Sequence, residues 1–116
     1  MSEHDEQCAV VEYCRAKSIP VYAVPNAAKR SRHLASRMRA EGLSAGVPDL
    51  CIPVARGIYH SLYIEMKHGA NKPTEEQARW IWRLREEGMC AWVCYGADSA
   101  MKLIDSYLDL RESDSL

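Results

Sequence analysis

Three side chains carry the groups that phosphodiester chemistry needs, in an order that can bring them together. Asp49 lies in Gly46-Val47-Pro48-Asp49-Leu50, and Glu65 and Lys67 lie in Tyr63-Ile64-Glu65-Met66-Lys67. From Ser61 to Lys67 the apolar Leu62, Ile64 and Met66 alternate with Tyr63, Glu65 and Lys67, the period of a strand with one face against a core. Residues two apart share a face, so Glu65 and Lys67 stand side by side, turned away from the apolar set. Asp49 to Val54 reads as a second strand, entered through Gly46 and Pro48. The short connection Arg56 to His60 makes the pair a hairpin, which sets Asp49 beside Glu65.

Two neighbouring carboxylates repel and one pKa rises, unless a cation lies between them. Hard oxygen donors with room for water suit Mg²⁺, with Mn²⁺ as a substitute. Such an ion polarises a phosphoryl oxygen and lowers the pKa of a bound water, and Lys67 is placed to orient that water or stabilise developing negative charge. Taken singly, Glu-x-Lys on a strand is commonly a solvated ion pair, and Pro-Asp a turn. The ordered set is what points to a metal-dependent phosphodiesterase.

The surroundings suit a polyanionic substrate. A net charge of -1 argues against a generic polyanion binder, yet Lys29, Arg30, Arg32, Arg37 and Arg39, with His33, fall in one stretch with no acid until Glu41. Cations near an acidic metal site supply sequence-independent affinity for a phosphate backbone; alone, such a run is a solvated helix face. Lys72, in the polar loop His68 to Pro73, can reach a phosphate or be an ordinary surface lysine. The five cysteines, Cys8, Cys14, Cys51, Cys90 and Cys94, lack Cys-x-x-Cys spacing and read as reduced core thiols rather than a zinc site.

The elements that must hold these groups follow from periodicity and punctuation. A first helix is expected from about Asp5 to Lys17, burying Cys8, Val11, Cys14 and parts of Val10 and Ala9, then a strand Ile19 to Val24 closed by Pro25-Asn26. A second helix from about Ser31 to Glu41 turns Leu34 and Met38 inward and stops at Gly42. After the hairpin, Thr74-Glu75-Glu76-Gln77 is a helix-start signature in which Gln77 reaches back to the cap. That helix runs to Gly88, a core strand Met89 to Tyr95 follows, and Asp98 caps a last helix carrying Met101, Ile104 and Leu108. The order is α, β, α, ββ, α, β, α, an α/β fold with a mixed sheet flanked by helices. With 116 residues it forms a single domain over 1–110, with a frayed polar tail at 111–116. No apolar run approaches the roughly 20 residues of a membrane span, and the acidic start is unlike a signal peptide, so an intracellular, cytoplasmic protein is expected.

The order Gly-Val-Pro-Asp, strand, hairpin, Tyr-Ile-Glu-Met-Lys, then Gln77 opening a helix resembles the PD-(D/E)XK nuclease superfamily. Within it the chain is similar to the small stand-alone VRR-NUC domains of bacteriophages and bacteria, from about Glu3 to Leu108. The resemblance implies a restriction-endonuclease-like sheet and a Mg²⁺-dependent endonuclease acting on DNA, with branched DNA such as Holliday junctions as the substrate. It makes Asp49, Glu65 and the Met66 carbonyl metal ligands, Lys67 the catalytic lysine and Gln77 a residue that shapes the site. It also implies an acid from the first helix, with Glu3, Glu6 and Glu12 as candidates and Glu6 favoured. Asn26-Ala27-Ala28 departs from the pattern, where relatives carry glycines.

Symmetric cleavage of a junction needs two sites related by a two-fold axis, so a homodimer is expected. Trp80, Trp82 and Tyr59 are candidates for its interface or for the monomer's own core. Two other functions remain open: an inactive DNA-binding or assembly factor on the same fold, and a nuclease acting on RNA. A bacterial or phage-infected cell is the expected setting.

Overall fold

Ser2 starts the first helix: its hydroxyl accepts the Asp5 N–H at 3.1 Å while the Asp5 carboxylate accepts the Ser2 N–H at 3.0 Å, a reciprocal cap on α1 (Glu3–Ala16). The computed structural model, which describes residues 1–25 and 31–116, continues with β1 (Tyr22–Ala23), α2 (Arg32–Ala40), β2 (Leu50–Ile52), β3 (Leu62–Lys67), α3 (Glu75–Glu86), β4 (Cys90–Tyr95) and α4 (Ala97–Leu108). This is the element order read from the sequence. The strands form one sheet in the order β1-β2-β3-β4. The β1–β2 and β2–β3 pairs are antiparallel, and α3 carries the chain back so that β4 runs parallel to β3.

Each sheet face has its own cover. Leu50, Ile52, Leu62, Ile64 and Met66 pack with Val10 and Cys14 of α1 and with Ala100, Ile104 and Tyr107 of α4. On the opposite face Tyr63 and Ala91 lie under Ile81 and Leu84 of α3. β3 is therefore buried on both faces, not on one, and the alternation that identified it separates two kinds of interior. Tyr107, wholly buried, donates its hydroxyl proton to the Val54 carbonyl at 2.6 Å and fastens α4 to the hairpin.

Several expectations are corrected. In α1 the inner face is set by Val10 and Cys14, four apart; Cys8, six residues from Cys14 and so turned roughly 120° away, is exposed. β1 is two residues long, not six. In α2 Ala35 is buried, Met38 is half-buried and Leu34 is exposed, because little of the described chain covers this short helix. β4 is an edge strand with one neighbour, so Trp92 and Tyr95 remain largely exposed although the segment reads as core. α4 begins at Ala97 with Gly96 as its cap at φ 90°, and Asp98 makes no cap bond: the strand turns into the helix within one residue, a conformation glycine tolerates. The end of the chain is docked rather than frayed. The Ile58 N–H donates to the Asp114 carbonyl at 3.0 Å and the Tyr59 hydroxyl to the Leu116 carbonyl at 2.9 Å.

Candidate active site

The register of the hairpin explains why a proline precedes Asp49. Leu50 faces Ile64 across the β2–β3 pair, so continuing the ladder by two residues sets Pro48 opposite Met66. Proline has no N–H to donate, which leaves the Met66 carbonyl without its ladder partner. The other half of that position is taken by the Asp49 side chain, whose Oδ2 accepts the Met66 N–H at 2.8 Å. The Asp49 carbonyl accepts the Val24 N–H at 2.8 Å, so the residue is tied to strands on both sides.

Glu65 stands next to it in the same row. Only 2% exposed, its Oε2 accepts the Gln77 side-chain N–H at 3.1 Å and lies 3.7 Å from the Lys67 ammonium, itself 8% exposed. Its Oε1 is buried and takes no hydrogen bond among the described residues. Burial first, then the Asp49 charge, pushes the Glu65 carboxyl up to about 8, against the downward pull of Lys67. A buried, unpartnered oxygen is rare, and a divalent cation between Asp49 and Glu65 would satisfy it and cancel the repulsion. The donor set of two carboxylates with a main-chain carbonyl that lacks its ladder partner fits a hard, oxygen-seeking ion such as Mg²⁺. Among the described residues no three His, Cys, Asp or Glu side chains gather into a metal cage.

Gln77 caps its helix and also contacts Glu65. Its N–H donates to the Thr74 hydroxyl at 3.2 Å and its Oε1 accepts the Thr74 N–H at 2.8 Å, a complete capping box. With Oε1 so engaged, the amide nitrogen is left to face Glu65. Gly46 supplies the close approach: at φ +90°, a Cβ on it would lie 2.8 Å from the Glu76 carbonyl carbon and 2.9 Å from the Gln77 nitrogen. The loop that delivers Asp49 is thus pressed against the start of the helix that delivers Gln77. This role for Gly46 went unread in the sequence, although a glycine two residues before Pro-Asp was a visible signal.

The remaining expected residues are dispersed. Glu6 accepts the Ala97 N–H through Oε2 and so caps α4 from another helix. Glu3 is the acid of α1 whose charge contributes to raising Glu65. Glu12 is exposed in a shallow groove with His4, Cys8 and Arg15. Arg32, Arg37 and Arg39 are exposed on α2, and Lys72 is exposed in the loop before α3. Lys29 and Arg30, with Asn26, Ala27 and Ala28, lie outside the described residues.

Two carboxylates and a lysine thus meet on a mixed sheet, with a helix-borne glutamine bonded to Glu65. The VRR-NUC domain model matches residues 3–98, and on that match the chain belongs to the VRR-NUC family, nuclease-fold proteins that act on DNA. One solved structure, a VRR_NUC domain protein, is 30% identical with a TM-score of 0.84, covering 98% of this chain and 93% of the other. A second, a VRR_NUC domain, is 25% identical with a TM-score of 0.64, covering 90% and 96%. No curated protein matches.

Proposed function

We propose that this protein is a divalent-metal-dependent DNA endonuclease acting on branched or structured DNA such as Holliday junctions. The observation that supports it most is the buried Glu65 carboxyl, next to the Asp49 charge and the Lys67 ammonium, whose Oε1 takes no hydrogen bond among the described residues. Asp49, Glu65 and the Met66 carbonyl would hold Mg²⁺, or Mn²⁺ in its place. When bound, the ion supplies Lewis-acid polarisation of the phosphoryl oxygen and a more acidic water. Lys67 orients the attacking water and neutralises charge gathering on the phosphate. Gln77 fixes the Glu65 carboxylate, and Glu3 adds negative charge at the rim. Arg32, Arg37, Arg39 and Lys72, with Lys29 and Arg30 of the same basic sequence, contact the DNA backbone.

Paired cuts across a junction require two copies, and we assign a homodimer built on Trp82, which is 63% exposed, with the half-buried Trp80 and Tyr59 as further candidates. The setting we assign is the cytoplasm of a bacterial or phage-infected cell, where branched DNA arises; no described helix is long and apolar enough to cross a membrane. The test is a cleavage screen over labelled four-way junction, flap, splayed-arm and duplex DNAs and a matched RNA, with Mg²⁺ or EDTA. Metal-dependent nicking of the junction supports the reading. Cleavage confined to RNA, or metal-independent DNA binding without turnover, replaces it with an RNA nuclease or an inactive assembly factor.

A further inference from the structure

Tyr95 ends β4 in register with Lys67, so the two side chains stand on the same sheet face, on strands about 4.8 Å apart. The Gly96 N–H donates to the Lys67 carbonyl at 3.3 Å, which holds the end of β4 against the end of β3. Lys67 is buried, yet Tyr95 beside it is 48% exposed, because β4 is the sheet edge and no strand covers its outer side. The other exposed aromatics of this edge are engaged: the Arg85 guanidinium lies 4.7 Å from the Trp92 ring and 5.4 Å from the Trp82 ring. Tyr95 has no aromatic or cationic partner of that kind among the described residues.

Resting on the nuclease reading, we propose that the Tyr95 ring is the platform on which an unpaired nucleobase next to the scissile phosphate stacks. A phosphate met by Lys67 brings its own nucleotide within one strand spacing of the ring. Every base has a π face, so the contact is tolerant of sequence. A base inside continuous duplex is already stacked on both sides and must be unstacked, unfavourably, to reach the ring. Tyr95 thereby selects DNA with a locally unstacked nucleotide, as at a junction, flap or fork, over intact duplex.

The experiment uses splayed-arm DNA with 2-aminopurine placed at each position around the branch point, in Ca²⁺ to suppress turnover, with the wild-type chain, Tyr95→Phe, Tyr95→Leu and Lys67→Ala. Wild type and Tyr95→Phe should quench one position equally. Tyr95→Leu should lose that quench and bind about 5- to 150-fold more weakly, with duplex binding unchanged. Tyr95→Leu binding within twofold of wild type with the quench intact overturns the proposal. So does loss of self-association in Tyr95→Leu with unchanged DNA binding, which would make the ring part of an interface between copies. The nuclease reading fails separately, if Mg²⁺-dependent nicking survives Lys67→Ala.

Discussion

Glu65 is held where an isolated carboxylate is disfavoured: buried, facing Asp49, with one oxygen unmatched. Function and stability therefore pull apart at this residue. Glu65→Gln is expected to leave the metal-free melting temperature unchanged or raise it while nicking falls by at least about 100-fold, as expected when transition-state charge stabilisation is removed. Thermal unfolding and junction cleavage on one preparation check both. Gln77→Glu separates the two tasks of Gln77, because glutamate also completes a capping box but turns a carboxylate toward Glu65. Helix content by circular dichroism should hold while activity falls at least about tenfold, the scale for partners that orient metal ligands. Asp49, Glu65 and Lys67 were legible in the sequence because strand period and hairpin length fix their neighbours. The cap that Glu6 makes on α4 was not legible, because its partner, the Ala97 N–H, lies at the far end of the chain, where no local pattern reaches.

At the scale of elements, the site depends on how closely the Asp49 loop approaches α3. Gly46→Ala must push a methyl into the Glu76–Gln77 backbone at a positive φ, so a destabilisation of about 1–3 kcal/mol is expected in denaturant unfolding, with weakened cleavage. A second expectation concerns the buried thiols. Burial pushes Cys94 up to about 11 from 9.0 and raises Cys14 and Cys90 as well. Between those values the folded chain keeps protons that the unfolded chain releases, so this contribution to stability is complete below about pH 9 and is lost as the pH rises through about 11. Urea midpoints should fall from pH 8 to pH 10.5, and less steeply in Cys94→Ala. Exposed Cys8 should react with a thiol reagent well before the other four. Element order was readable because caps, glycines and hydrophobic period agreed. The short β1, the docked 111–116 segment and the exposed edge of β4 were not, since each depends on what packs against the strand rather than on the strand's own residues.

For the molecule as a whole, a near-neutral chain binding DNA must concentrate its cations. Replacing Arg32, Arg37 and Arg39 together by alanine should weaken binding to all DNAs alike and reduce the slope of log K against log salt by about 0.9 for each phosphate no longer neutralised. Sedimentation at micromolar concentration should show twice the 13.1 kDa chain mass, reverting to a single chain in Trp82→Ala. The proposed cleavage requires that Asp49 and Glu65 jointly hold a divalent ion. Calorimetric titration of Mn²⁺ tests this most directly. Saturable binding should be present in wild type and in Lys67→Ala and abolished in Asp49→Asn and Glu65→Gln, whereas Mn²⁺ uptake undiminished by the two carboxylate substitutions contradicts the site.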